Sequence, residues 1–143
     1  MFNRILIVCT GNICRSPMAE GYMRSRLPAE KSVSSAGIAA SPGEPAAPEA
    51  VAVMAAHGFD ISSHGALQIT DGQAHAADLI LVADQTHQRW IARRFPQLRG
   101  RVHKLLKWEG NRDIEDPYGL PQSYFEQTYA EIEMGVSDWL KRL

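Results

Sequence analysis

Cys9 and Arg15 stand near the two ends of Cys9-Thr10-Gly11-Asn12-Ile13-Cys14-Arg15-Ser16, a segment whose residue types and spacing could do chemistry. A short loop bending back on itself can aim successive backbone N–H groups at one anion, and a following helix adds its positive end. Gly11 would permit backbone angles closed to residues with a Cβ, and Asn12 is among the few other types that tolerate positive φ. The planar fork of Arg15 can hold two phosphate oxygens, where a lysine ammonium offers a single point charge. Cys9 then lies on the floor of the cradle, where the field that attracts a phosphate should lower its pKa below the free value of about 8.5. A thiolate beneath a bound phosphoester is a nucleophile in line with the leaving oxygen. The product is a cysteinyl-phosphate that water hydrolyses, with the cradle and Arg15 stabilising the equatorial oxygens in both steps. The segment is neither a Walker loop nor a dinucleotide fingerprint, since no Gly-Lys-Ser/Thr follows and G-x-G-x-x-G is absent.

Expelling an aryl oxide is about 10²- to 10⁴-fold easier when a positioned acid protonates it. Asp113, Glu115 and Asp116 all lie in one loop-like stretch that could sit above the cradle. Asp116 has Pro117 to stiffen it and Tyr118 to line the entrance, although Asp-Pro is also an ordinary turn opener, so spacing alone leaves the choice open.

These residues need elements to position them. Arg4-Ile5-Leu6-Ile7-Val8 is a non-alternating apolar run, as expected of a strand buried on both faces, and it feeds the cysteine. A helix should follow, with Ser16 near its N-cap, Pro17 at its first position and Pro28 as its stop. Residues 31–36 read as a second, weak strand closed by Gly37. Pro48 opens an Ala-rich helix that Gly58 would end. Residues 79–82 form another buried run, followed by Asp84 as N-cap of a helix with His87, Ile91 and Phe95 on one face. Residues 102–105 read as a fourth short strand, and 108–121 as loop. The last helix carries Ser123 and Glu126 as a capping box, and Phe125, Tyr129, Ile132, Val136, Trp139 and Leu143 along one stripe that should face the sheet. Strands alternating with helices predict one α/β domain over 1–143: a parallel sheet with helices on both faces, whose ligand site lies at the strands' carboxyl ends.

Composition limits the function classes. The chain has 143 residues, 45% hydrophobic and 22% charged, enough for one real core. Fifteen basic against 16 acidic residues, a formal charge of -1, argue against a nucleic-acid or anionic-membrane binder, and the Arg93-Arg94 pair reads as a solvated helix face. No apolar run approaches the roughly 20 residues that span a bilayer, and no secretory signal is evident, so the expected address is the cytoplasm. Two cysteines five positions apart, Cys9 and Cys14, suit chemistry or core packing in a reducing compartment better than a disulfide framework. Zinc is disfavoured as well: His57, His64, His75, His87 and His103 lack ligand spacing, and metal would quench the thiolate.

Residues 8–17, Val-Cys-Thr-Gly-Asn-Ile-Cys-Arg-Ser-Pro, resemble the signature of low-molecular-weight protein tyrosine phosphatases. The resemblance continues through Ser35-Ala36-Gly37, His64, Asp84 and Asp116-Pro117-Tyr118, and so covers essentially the whole chain. It implies a four-stranded parallel sheet flanked by helices, with Cys9 as nucleophile, Arg15 as phosphate ligand and Asp116 as general acid and later base. The loop Thr10, Gly11, Asn12, Ile13, Cys14, Arg15 and Ser16 binds the phosphate; Ser16 hydrogen-bonds the thiolate, Asn12 and His64 brace the loop, and Tyr118 walls the pocket. Cys14, on the same resemblance, traps an oxidised Cys9 as a disulfide before irreversible oxidation. No metal or cofactor is implied. Unlike eukaryotic relatives, the chain follows Tyr118 with Gly119-Leu120 and has no aromatic residue in 37–48, so its pocket wall is less aromatic. In both respects it is similar to the bacterial subgroup associated with exopolysaccharide export. That similarity implies action on phosphotyrosine proteins, above all a membrane tyrosine autokinase; the chain itself is expected to be a monomer that does not enter the membrane.

Two other classes compete. Arsenate reductases share this fold and loop in some families, but they relay oxidation through further cysteines, and none follows Cys14. A non-catalytic phosphate-binding module would need neither the nucleophile Cys9 nor the acid Asp116.

Overall fold

The computed structural model describes residues 2–143. Its sheet has the order β2-β1-β3-β4, from β1 (Arg4–Cys9), β2 (Ser32–Gly37), β3 (Leu79–Val82) and β4 (Val102–Lys104). All pairings are parallel, with Cys9 beside Gly37, Val8 beside Val82, and Val82 beside Lys104. Burial on both faces explains the unbroken apolar runs. Ile5, Ile7, Leu79 and Leu81 point into one core, and Leu6, Val8, Ile80 and Val82 into the other. Removing each such side chain from water contributes about 1.5–3 kcal/mol.

The first core is closed by α1 (Arg15–Arg24), α2 (Pro48–Ala56) and α5 (Gln122–Leu140) through Met18, Met54, Phe125, Ile132 and Val136. The second is closed by α3 (Asp71–Ala76), α4 (Gln85–Arg94) and the 3₁₀ turn Pro96–Arg101, through Ala74, Ile91 and Leu98. The chain runs from β1 out to β2, then back across β1 to β3. The loops leaving β1 and β3 therefore diverge, which makes the switch point where open α/β sheets bind ligands.

Several boundaries differ from the sequence reading. α1 opens at Arg15 with Cys14 at the N-cap position, so Ser16 and Pro17 are its second and third residues, and the Ser16 hydroxyl is directed elsewhere. That helix ends at Arg24, and Leu27 packs from the turn beyond it. The Ser123/Glu126 capping box does not form, because Pro121 already stands at the N-cap position with no side-chain cap. The last helix stops at Leu140, and Leu143 packs against the core from beyond the helix end. α3, short and polar, had no periodic signal. The Pro48 helix start, the left-handed Gly58 (φ 89°) and the Asp84 N-cap are as expected.

Candidate active site

The Cys9–Ser16 loop links β1 to α1 at the switch point, and its left-handed residue is Asn12, φ 57°. Gly11 does not have the role expected of it: it is outside the positive-φ set, and a Cβ there would meet nothing nearer than Ile13 Cγ1 at 3.7 Å. The glycine the loop requires is Gly37, at the end of β2, where a Cβ would lie 2.4 Å from the Thr10 carbonyl oxygen.

Asn12 is fully buried, and both its side-chain amide and its backbone carbonyl are engaged. Its Nδ2 donates to Ser16 Oγ at 2.7 Å and Ser35 Oγ at 2.9 Å, and its Oδ1 accepts from the Leu67 N–H at 2.9 Å. His64 Nε2 donates to the Asn12 carbonyl at 2.7 Å, and the Ser35 hydroxyl in turn donates to Glu20. An orphaned buried group costs about 1–3 kcal/mol, so this saturated network offsets the unusual backbone of Asn12. It also reaches the sulfur. Ser16 Oγ accepts from Asn12 and lies 2.8 Å from Cys9 Sγ, so that a thiolate at Cys9 would receive the serine hydrogen.

Arg15 enters from the other side and is 2% exposed. Its Nη1 donates to Asp84 Oδ2 at 2.8 Å and to the Ile114 carbonyl at 2.7 Å, while Nη2 lies 3.4 Å from Thr10 Oγ1. Its Nε has no protein partner among the described residues, so one edge of the fork remains free to bind an oxyanion. Burial works against the charge of Asp84, but the Arg15 hydrogen bond and neighbouring positive charge hold its carboxyl below the ordinary range. Beneath Thr10, His87 is fully buried: the Asp84 N–H donates to its Nδ1 at 3.2 Å, and its Nε2 reaches Thr10 Oγ1 at 2.8 Å. Burial first, and the Arg15 charge after it, push the His87 pKa down to about 4, so the ring is neutral at pH 7.

These groups frame a cleft of about 190 Å³ lined by Cys9, Thr10, Gly11, Ile13, Cys14, Arg15, Asp116 and Tyr118. Asp116 is the carboxylate that lines it. Asp113 is engaged by Lys104 at 2.9 Å and the Gln85 N–H at 3.1 Å, and Glu115 does not line it. The Asp116 side chain is 49% exposed, with Oδ2 3.9 Å from Arg15 Nη2, and its Oδ1 accepts from the Tyr118 N–H at 3.1 Å. Tyr118, 62% exposed, stands at the mouth. Cys14 is buried; burial above all, then the Asp116 and Cys9 charges, raise its pKa to about 12. A larger cleft, about 570 Å³, lies behind the loop and contains its props Glu20, Ser35 and His64 but none of the cradle groups. Among the described residues no three His, Cys, Asp or Glu side chains are grouped to hold a metal ion. Sequence reasoning missed Glu20 and the catalytic-side contacts of His87 and the Ile114 carbonyl, which are tertiary contacts with no local signal.

Residues 4–143 match the family model "Low molecular weight phosphotyrosine protein phosphatase". The chain belongs to this family. The phosphatase fold is shared with a solved structure, Vibrio vulnificus Wzb in complex with benzylphosphonate, at TM-score 0.95 and 37% identity, covering 100% of both chains. Among curated relatives, the probable phosphatase EpsP of Ralstonia solanacearum is 48% identical over 143 residues, covering 100% of this chain and 97% of the relative. The phosphatase Etp of Escherichia coli K12 is 39% identical over 142 residues, covering 99% and 95%. The chain is accordingly a protein-tyrosine phosphatase rather than an arsenate reductase or a passive phosphate binder. Among the described residues no helix is long and apolar enough to cross a membrane.

Proposed function

We propose that Cys9 Sγ attacks the phosphorus of a phosphotyrosine while Asp116 gives its proton to the departing phenolate oxygen. The S–P bond forms as the P–O bond breaks, and the phosphoryl group remains on Cys9. Water then attacks that phosphorus, passes a proton to Asp116, and the S–P bond breaks to release phosphate and the thiolate. The free edge of Arg15 and the N–H groups of Thr10 to Ser16 hold the equatorial oxygens throughout. Ser16 steadies the sulfur, Asn12 and His64 support the loop, and Tyr118 flanks the substrate ring.

The observation that carries this reading is one cleft bordered by the Cys9 thiol, the Arg15 fork with its unpartnered Nε, and the Asp116 carboxylate. The aryl-methyl phosphonate bound to Vibrio vulnificus Wzb supports an aryl phosphate as ligand. Similarity to the phosphatases EpsP, Etp and Wzb supports phosphotyrosine proteins as substrates, and the resemblance to the exopolysaccharide-associated subgroup narrows them to a tyrosine autokinase or its targets in the cytoplasm.

The test is hydrolysis of p-nitrophenyl phosphate by the parent and by Cys9→Ser. The variant should lose at least about 10³-fold in kcat, and should capture a phosphotyrosine autokinase from lysate. Parental turnover by Cys9→Ser would remove the covalent mechanism.

A further inference from the structure

Between Asp84 and Glu109 the sequence has no acidic residue and seven basic ones, Arg89, Arg93, Arg94, Arg99, Arg101, Lys104 and Lys107, although the whole chain carries a formal charge of -1. The structure divides this segment. Lys104 is paired with Asp113, Arg94 with Asp71, and Arg101 donates to the Ala77 carbonyl. Arg89 and Arg93 are exposed and, among the described residues, have neither an ion pair nor a hydrogen bond. They stand four apart on α4, a spacing at which like charges repel across a helix face. With Thr86, Trp90 and Arg94 they line a groove of about 520 Å³. Two unpaired guanidinium groups set against an indole offer an acidic segment both charge complementarity and an apolar wall.

The helix that carries the groove starts beside the cradle. Thr86 precedes His87, which touches Thr10, and α4 begins beside Asp84, which holds Arg15. At 1.5 Å per residue, Arg89 and Arg93 lie about 7 and 13 Å along the helix from Asp84. An extended peptide advances about 3.3 Å per residue, so these distances correspond to the second to fourth neighbours of a residue whose phosphate is in the cradle.

We propose that the Arg89–Arg93 groove is a subsite for acidic residues flanking the phosphotyrosine, so that the phosphatase selects its sites by local negative charge. The proposal rests on the phosphotyrosine reading above and adds the substrate's sequence class to it. The two arginines touch neither the cradle nor the acid, so they act on peptide recognition alone.

The experiment uses two phosphotyrosine peptides, one with Glu and one with Gln at the second to fourth positions on both sides, and p-nitrophenyl phosphate as a substrate too small to reach the groove. Each exposed Arg–carboxylate pair is worth up to about fivefold. The parent should therefore prefer the Glu peptide by about 5- to 20-fold in kcat/KM at low salt. Arg89→Gln/Arg93→Gln should bring the preference within about twofold and leave p-nitrophenyl phosphate turnover unchanged, and high salt should erode it in the parent. Equal turnover of the two peptides by the parent, or a preference retained by the double variant, would overturn the subsite while leaving the phosphatase intact. A parent inactive on all three substrates would overturn both readings. Loss of binding to phosphatidylglycerol vesicles with peptide preference unchanged would make the groove a lipid surface and reject the proposal.

Discussion

Asp84 joins the two strand ends of the switch point: its Oδ2 lies 2.8 Å from Arg15 Nη1, while its Oδ1 accepts from the Thr86 and His87 N–H groups at 2.9 and 3.4 Å. One carboxylate oxygen thus caps α4 and the other anchors the Arg15 guanidinium. The fork is positioned before any substrate arrives, which is how electrostatic preorganisation avoids a reorganisation cost at the moment of reaction.

The two tasks separate by mutation. Asp84→Asn keeps a good cap but removes the charge, leaving the buried Arg15 without its counter-ion. Breaking a fully buried pair costs about 3–5 kcal/mol; with the Asp84 side chain 20% exposed, about 2 kcal/mol is expected. Misplacement of the fork should lower kcat/KM by about 10²-fold. Asp84→Ala should cost a further 1 kcal/mol or so through the lost cap. Urea unfolding of the three proteins beside their kinetics checks both; equal stability of Asn and Ala variants would remove the cap from the account.

His87 makes stability depend on pH in a defined window. Its folded pKa, about 4, lies below the unfolded value near 6.5, so as pH falls between these values the unfolded chain takes up a proton that the folded one refuses. Stability should therefore decline from pH 7 to pH 4.5 by about 2–3 kcal/mol, and His87→Gln should flatten most of that slope. The depressed Asp84 contributes at the other end, its stabilisation being lost only below about pH 4. Unfolding free energies at the two pH values decide it, and an unchanged slope in the variant would assign the decline to other groups.

Local signals along the chain encode the parts of the fold that depend on adjacent residues. The runs at Ile5 to Val8 and Leu79 to Val82 read as doubly buried strands because they are so, and the whole cradle is contiguous from Cys9 to Ser16. What the chain brings from afar was less legible. Asp84 was visible as a cap, yet its grip on Arg15 spans 69 positions, and the Ile114 carbonyl reaches Arg15 across 99. His64 entered only through the family resemblance, because no spacing rule ties a histidine to the backbone oxygen of a residue 52 positions earlier. Ser123 and Glu126 matched a capping pattern, but Pro121 fixes the helix start two residues before that serine.

Gly37 offers a test of space rather than of backbone angle. Its Cβ would meet backbone atoms only, Thr10 O at 2.4 Å and Asn12 N at 3.0 Å, so the cradle itself must move. Gly37→Ala should cost about 1–3 kcal/mol of stability and about 10²-fold in kcat/KM. Gly72→Ala is the control. It sits in α3 with nothing within 4 Å of a Cβ, and should gain about 0.5–1 kcal/mol with activity unchanged. Activity retained in Gly37→Ala would mean that β2 can shift without disturbing the loop.

Asp116 is the carboxylate with the geometry to reach a leaving oxygen, and its role is readable from leaving groups. One oxygen is fixed by the Tyr118 N–H and the other lies 3.9 Å from Arg15, on the cleft side. If its proton goes to the phenolate, its removal should matter most where the leaving group is most basic. Asp116→Ala should slow phenyl phosphate by about 10²- to 10⁴-fold. It should slow p-nitrophenyl phosphate distinctly less, because the nitrophenolate departs without a proton. The parent should show a shallow dependence of kcat on leaving-group basicity, and the variant a steep one, provided phosphorylation of Cys9 limits the rate. Equal losses on both substrates would transfer the acid's part to another group, with Glu115 the neighbouring carboxylate to test next.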